Sequence, residues 1–532
     1  MARRERTATG GRRARVEQAL GGNAPYRSRV TDNASAPFPS SGRPFGSTDG
    51  HRLPDPAGCG TSQSVVIVLF GATGDLAGRM VIPAFVECHE RRLIPTAWAL
   101  VGCSAETIDD AAFRTKVAES LTRDGNKAPD DVEHVLARCS FASAMFGPDD
   151  AGDLPARVGQ AKSAVAAEAG VGEEEVLVIH FLAVPPVAFP GITRGLGAHG
   201  LAAGARVVYE KPYGRDQESF EELDAIVKDV FDEEQVFRID HFLGKEAVQA
   251  IYVLRFGNHL IGSEWDRHSV AQVQIDVPED LDVANRIGFY EATGAALDMV
   301  VTHLFQVASQ VAMDPPTDLT DPQSILWARE QVLRNFRPLD PKHDVVLGQF
   351  DGYRDYEGVA PDSQQDTYVA ARLWVDTERW HGVPFLLRTG KRLRRKEQRI
   401  TLVLRPPAGP IGAELITPNT IQIDVAGAGK VALGLTVKAP GPETRLASGR
   451  AVLDLRRVGG GGALSPYASL IHDVLTGDRS LFTTAEGLRA AFAAFAPLQG
   501  PDRPTPEPYE PGSWGPEEAR RLAQPYSWVL GQ

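Results

Sequence analysis

Three short strings combine residue types that can move a proton and hold an anion: Glu210-Lys211-Pro212-Tyr213-Gly214, Arg238-Ile239-Asp240-His241-Phe242-Leu243-Gly244-Lys245-Glu246, and Asp298-Met299-Val300-Val301-Thr302-His303. An imidazole titrates near neutrality and can act as a general base, and a neighbouring carboxylate can fix its tautomer. In the middle string His241 and Lys245 stand four apart. On a helical turn they would share one face and could clamp a phosphate between them, while Asp240 could orient an imidazole supplied from elsewhere. In the third string His303 follows Asp298 by five residues within an apolar helical stretch, where a lone histidine is more often a satisfied core residue than a base. Lys211 by itself reads equally well as a surface ion-pairing lysine. Its place at the end of an apolar strand gives it meaning, because α/β proteins bind ligands beyond the carboxyl ends of their strands.

A fourth string, Gly71-Ala72-Thr73-Gly74-Asp75-Leu76-Ala77, lies between an apolar run and a helical stretch. Backbone N–H groups at such a helix start can meet a pyrophosphate, and glycine permits its close approach. As a bare pattern, G-x-x-G-x-x-A is weaker than G-x-G-x-x-G. Its position, opening the first strand–helix unit, predicts a dinucleotide site at Gly71, Thr73, Gly74, Asp75 and Leu76. An acidic residue closing the second strand holds a ribose 2′-hydroxyl, whereas an arginine there accepts a 2′-phosphate. Here the strand closes as Val101-Gly102-Cys103-Ser104-Ala105-Glu106, without arginine; Arg79 is the nearest candidate to compensate.

Positioning these groups requires a particular scaffold. Val65–Phe70 is a continuous apolar run, as expected for a strand buried on both faces. Further strands are predicted at Trp98–Cys103, Val176–Val184, Ala205–Tyr209 and Val236–Ile239, with helical stretches between them, including 110–123. This alternation implies a doubly wound parallel sheet. Beyond residue 241 the texture changes. Strand-like segments at 268–277, 367–376, 398–405, 419–425 and 430–437 are interleaved with helices at 294–311, 323–336 and 465–476, and Gly459–Gly462 reads as a loop. The fold class expected is α/β, with an N-terminal Rossmann-like sheet at 63–240 and a C-terminal α+β domain with a large, mainly antiparallel sheet at 241–532.

Composition narrows the classes further. The 532 residues are 43% hydrophobic and 23% charged, the balance of an ordinary globular protein. A net charge of −13 argues against nucleic acid as partner, which needs clustered Lys and Arg. No apolar run reaches the roughly 18 residues of a membrane span, so no membrane role is expected. Cys59, Cys88, Cys103 and Cys139 lack C-x-x-C spacing, so reduced thiols in a cytoplasm fit better than zinc or a disulfide framework. Residues 1–62 carry ten Arg and five acidic residues, hence +5, and show no apolar periodicity. They read as a disordered tail.

Taken together, the strings resemble the glucose-6-phosphate dehydrogenase family, which shows G-A-S/T-G-D-L-A, E-K-P-F/Y-G, R-I-D-H-Y-L-G-K-E and D-x-x-x-x-H in this order. The likeness continues through Glu378-Arg379-Trp380-His381-Gly382-Val383-Pro384-Phe385, Arg388-Thr389-Gly390-Lys391 and Gly512-Ser513-Trp514-Gly515-Pro516, and so spans roughly residues 64 to 530. It implies oxidation of the C1 hydroxyl of glucose 6-phosphate with hydride transfer to NADP, NAD being possible, and no metal. On the matching positions, His303 is the base and Asp240 its carboxylate partner. His241 and Lys245 grip the 6-phosphate, Lys211 lies near both sugar and nicotinamide, Glu279 and Asp298 bind sugar hydroxyls, and Lys391 and Lys396 are further basic substrate residues. A homodimer or homotetramer built through the second sheet is also implied.

Two positions depart from the family pattern. Phe242 stands where tyrosine is commoner, which removes a hydroxyl from the phosphate site. Ala105 stands where an arginine supports NADP preference, so relaxed cofactor choice is expected. Two rival readings accompany the main one. One is a related sugar dehydrogenase acting on unphosphorylated sugars, against which the His241–Lys245 pair argues. The other is a silent paralogue with a regulatory role, which would have been free to lose His303 and Asp240.

Overall fold

The computed structural model describes residues 64–123, 129–283, 286–319, 321–414, 417–458 and 462–531. The tail at 1–62 and most of the Gly459–Gly462 loop lie outside the described residues.

The first half forms a six-stranded, fully parallel sheet from β1 (Val65–Phe70), β2 (Trp98–Ser104), β3 (Cys139–Ser143), β4 (Leu177–Leu182), β5 (Arg206–Tyr209) and β6 (Val236–Arg238), in the order β3-β2-β1-β4-β5-β6. Every residue of β1 is buried, which is why its sequence is a continuous apolar run rather than an alternation. Each crossover contains a helix, as parallel pairing requires. The first is Ile82–Glu90; the second, Asp110–Thr122, starts where the Asp109 side chain accepts from Ala112 N at 2.8 Å. The strand order reverses between β1 and β4. In a doubly wound sheet that switch point opens a crevice at the carboxyl edge.

The second half forms a nine-stranded sheet from β7 (Val270–Pro278), β8 (Val345–Phe350), β9 (Tyr368–Trp374), β10 (Pro384–Gly390), β11 (Arg399–Leu404), β12 (Thr420–Asp424), β13 (Lys430–Lys438), β14 (Leu446–Asp454) and β15 (Glu507–Tyr509). Its order is β14-β13-β12-β11-β7-β10-β9-β8-β15. Only the β10–β7 and β15–β8 pairings are parallel, so the sheet is mainly antiparallel as expected. β3 of the first sheet and β14 and β15 of this one were not among the predicted strands, and neither were β8 and β10. Both are covered on their two faces and therefore lack the alternation that marks a half-exposed strand.

The helical stretch predicted at 294–311 begins earlier, at Ile287, and is bent at Gly294, whose φ of 63° lies outside the helical region. From Leu297 to Leu304 the helix widens to i→i+5 hydrogen bonding, with Phe305 N donating to Val300 O. Such widened turns cluster at functional sites. Among the described residues no helix is long and apolar enough to cross a membrane.

Candidate active site

Because the first sheet is parallel, the carboxyl ends of its strands share one edge, and the chemistry-bearing strings leave from it, except Asp298–His303, which lies in the widened helix. Gly71 follows β1, Ala105 and Glu106 follow β2, Lys211 lies two residues beyond β5, and Asp240 two beyond β6. One topological feature thus collects residues scattered over 170 positions.

At the first turn Gly71 adopts φ +71°, and a Cβ there would stand 2.4 Å from the Ala183 carbonyl oxygen, just beyond β4. Glycine is required for both reasons. The turn is held by Gly71 N donating to Cys103 O at 2.8 Å and Gly74 N to Gly71 O at 2.9 Å. It sits on the β1–β4 switch point and leads straight into helix, which is the cradle a pyrophosphate needs. Gly71, Thr73, Gly74, Asp75 and Leu76 all belong to this turn. Arg79 reaches Asp75 at 3.4 Å and is more than half exposed, and Arg123 reaches the same carboxylate at 3.4 Å.

The proton-handling group is assembled from β6 and the widened helix. Nδ1 of His303 donates to Asp240 Oδ1 across 2.6 Å, with both side chains essentially buried. Asp240 Oδ1 also accepts from Phe242 N at 2.8 Å, which locks the carboxylate. Nε2 of His303 and Oδ2 of Asp240 are buried without partners. A partnerless buried imidazole nitrogen is costly unless a ligand completes it. Burial, reinforced by the Lys211 charge, holds His303 well below the ordinary imidazole range. It is therefore neutral, and its lone pair at Nε2 is free to take a proton. Burial pushes the Asp240 carboxyl up to about 6. The i→i+5 winding explains why Asp298 and His303, five apart, both serve this site: an ordinary α-helix would turn them well away from each other.

Lys211 Nζ donates to Asp298 Oδ1 at 2.9 Å, joining the end of β5 to the widened helix. Burial raises the Asp298 carboxyl, but the Lys211 charge and hydrogen bond outweigh it and hold the group below its usual range. His241 packs edge-on to His303, ring centroids 4.6 Å apart. Burial first, and then neighbouring positive charge including that of Lys211, keep His241 well below the ordinary range.

One expectation is corrected here. His241 and Lys245 do not share a helical face. Leu243 N and Gly244 N both donate to Asp240 O, so residues 240–244 form tight turns. Lys245 is the extended residue (φ −74°, ψ 129°) that precedes the helix Glu246–Phe256. The two groups reach one region through turn geometry rather than helical periodicity. Lys245 lies 3.4 Å above the centroid of the Phe242 ring, donates to Gln398 Oε1 at 2.5 Å, and is driven down to about 7 by burial.

On the second sheet Glu279, just beyond β7, forms a close ion pair with Lys391, just beyond β10. The parallel β7–β10 pairing puts both strand ends on one edge. Lys396 is exposed, and its charge bears on Lys245. The structure therefore joins Lys211, Asp240, His241, Lys245, Asp298 and His303 into one cluster, with Glu279, Lys391 and Lys396 bordering it. Gln398 was not among the residues expected from the sequence, and Phe242 was expected only as a missing hydroxyl. Phe242 stacks on His303 at 4.6 Å and 29° while carrying Lys245. Its place inside the nine-residue string had already marked it; Gln398 lies 153 residues from Lys245, and no local pattern marks it.

Ligand atoms of Asp240, His241 and His303 lie within 4.8 Å of one another. A dication there would face the Lys211 and Lys245 ammonium groups, so the field suits an anion better than a metal.

Residues 68–250 match the glucose-6-phosphate dehydrogenase NAD binding domain, and residues 252–529 match the glucose-6-phosphate dehydrogenase C-terminal domain. The chain belongs to the glucose-6-phosphate dehydrogenase family. Glucose-6-phosphate 1-dehydrogenase 2 of Mycobacterium tuberculosis is 35% identical, covering 88% of this chain and 94% of that protein. Glucose-6-phosphate 1-dehydrogenase of Mycolicibacterium smegmatis is 34% identical, covering 86% and 95%. Among solved structures, a glucose-6-phosphate dehydrogenase in complex with its substrate glucose-6-phosphate superposes with a TM-score of 0.81 at 28% identity, covering 88% of this chain and 99% of that one. The enzyme therefore has a dinucleotide-binding parallel sheet followed by the family's large sheet, as the motifs implied.

Proposed function

We propose that the enzyme oxidises the C1 hydroxyl of D-glucose 6-phosphate to the lactone, with residues 63–240 binding the dinucleotide and 241–532 binding sugar and forming the oligomer. The observation that carries this reading is the buried His303–Asp240 pair whose Nε2 lacks a partner, set among Lys211, His241 and Lys245. A nicotinamide dinucleotide, NADP or NAD, supplies the hydride acceptor when bound at the Gly71–Leu76 turn. Nε2 of His303 accepts the C1 hydroxyl proton as hydride leaves C1, because negative charge building on that oxygen expels the hydride. The resulting imidazolium is stabilised by Asp240 through Nδ1. Lys245 and His241 hold the 6-phosphate, with Lys396 adding positive charge, and Asp298 and Glu279 accept from sugar hydroxyls while their ion pairs with Lys211 and Lys391 aim them.

A cytoplasmic homodimer or homotetramer is part of the same reading. Leu435, Val437, Val452 and Leu453 on the outer strands β13 and β14 are 44–55% exposed, the kind of apolar surface an interface would cover. The test is reduced-nicotinamide absorbance with glucose 6-phosphate against glucose, for the unmodified enzyme and for His303→Asn. Turnover of glucose 6-phosphate alone, abolished in the variant, is expected; equal turnover of glucose favours the related sugar dehydrogenase, and no turnover favours a silent paralogue.

A further inference from the structure

The loop that closes β2 carries a carboxylate that the reaction does not use. Thr73, from the phosphate turn, places its hydroxyl 3.1 Å from Ser104 Oγ and within hydrogen-bond reach of the Glu106 side chain. Glu106 N donates to the same Ser104 Oγ at 3.2 Å, and Ser143 Oγ donates to Glu106 O at 2.9 Å. Lys116, on the following helix, flanks the carboxylate at 3.4 Å. Although Glu106 is solvent-exposed, its backbone is pinned to Ser104 and Ser143, which fixes the point from which the carboxylate projects. The loop leaves the second strand beside the first turn, where Gly71 N donates to Cys103 O at 2.8 Å, and the end of this strand is where doubly wound domains read the adenosine ribose.

A carboxylate can only accept hydrogen bonds. It suits the free 2′- and 3′-hydroxyls of a ribose and repels a 2′-phosphate dianion. The neighbouring cations are already engaged: Lys116 faces Glu106, and Arg79 and Arg123 both face Asp75. The polar contact with Thr73 and the Lys116 charge hold Glu106 below the usual carboxylate range and hence ionised.

We infer that Glu106, presented by Thr73 and Ser104, makes this enzyme select a dinucleotide with a free ribose 2′-hydroxyl, NAD+, over the 2′-phosphorylated form. The inference rests on the reading that the first domain binds a nicotinamide dinucleotide at Gly71–Leu76. The experiment is calorimetric titration of the full chain with NAD+ and with NADP+, without sugar, for the unmodified protein, Glu106→Ser and Lys116→Ala. NAD+ is expected to bind at least about tenfold more tightly (about 1.4 kcal/mol). Glu106→Ser should lower that ratio about tenfold or more by weakening NAD+ and strengthening NADP+. Lys116→Ala, which leaves the Glu106 charge unopposed, should weaken NADP+ further and spare NAD+. Tighter NADP+ binding by the unmodified protein overturns the inference while leaving the dinucleotide reading intact. So does a Glu106→Ser variant, unchanged in melting temperature, whose two affinities move together. Failure of both dinucleotides to bind overturns the underlying reading as well.

Discussion

Asp240→Asn isolates the charge of the buried pair from its shape. Oδ1 accepts from Phe242 N and His303 Nδ1 at once, and a backbone N–H can only donate. The asparagine oxygen must therefore stay where Oδ1 was, which leaves the imidazole tautomer in place. What disappears is the negative charge facing the imidazolium formed when His303 takes the substrate proton. Opposite unit charges about 4 Å apart interact by about 4 kcal/mol at an effective dielectric near 20. The remaining neutral hydrogen bond returns about 1 kcal/mol. The net loss of about 3 kcal/mol corresponds to a fall in kcat of about 150-fold. KM for glucose 6-phosphate should stay within about threefold, because the charge matters only once the proton has moved. Initial rates of nicotinamide reduction at pH 8, with calorimetric binding of glucose 6-phosphate in parallel, measure both quantities. A loss of kcat under about threefold, or a loss confined to KM, refutes the assignment of Asp240 as the group that stabilises the protonated base.

Asp240, raised to about 6, makes kcat/KM of the unmodified enzyme fall as pH drops through about 6, and this acid limb should vanish from the pH–rate profile of Asp240→Asn. The same shift bears on stability. A carboxyl raised from 3.8 to about 6 binds its proton more readily in the folded state, so its ionisation destabilises the fold as pH rises through 4–6, by roughly 3 kcal/mol once complete. The melting temperature of Asp240→Asn relative to the unmodified enzyme should therefore climb between pH 5 and pH 8, as followed by circular dichroism. Lys245→Met, which removes a charge-assisted contact of about 2–3 kcal/mol, should raise KM for glucose 6-phosphate by about 30- to 150-fold with kcat within threefold. Because Lys245 loses its proton near 7 in the free enzyme, KM of the unmodified protein should also rise as pH increases above 7. Gly71→Ala should melt earlier and abolish dinucleotide binding in calorimetry, since its Cβ meets the Ala183 carbonyl at φ +71°.

The phosphate turn and five of the six strands of the first sheet, all but β3, could be read directly from the sequence because local physics produces them. A strand buried on both faces must be an apolar run, and a left-handed turn facing a neighbouring carbonyl must be glycine. The nine-residue string was conspicuous for the same reason of density, yet its internal geometry was misjudged. His241 and Lys245 stand four apart, but Asp240 gathers residues 242–244 into turns, so their meeting owes nothing to helical spacing.

The sequence by itself determined the residue types available for the chemistry, the edge of the parallel sheet from which three of the four strings depart, and the family to which the chain belongs. Only the tertiary structure set His303 against Asp240 with Nε2 lacking a hydrogen bond, the arrangement on which its proposed role as base rests. Its partner lies 63 positions earlier, and the widened helix that turns it towards Asp240 has no local sequence mark. Only burial strips His303 of its proton and leaves Nε2 open, and only the convergence of β2 with the first turn sets Glu106 beside Thr73. Composition and spacing record which groups a chain owns; desolvation and long-range contact decide which of them can act.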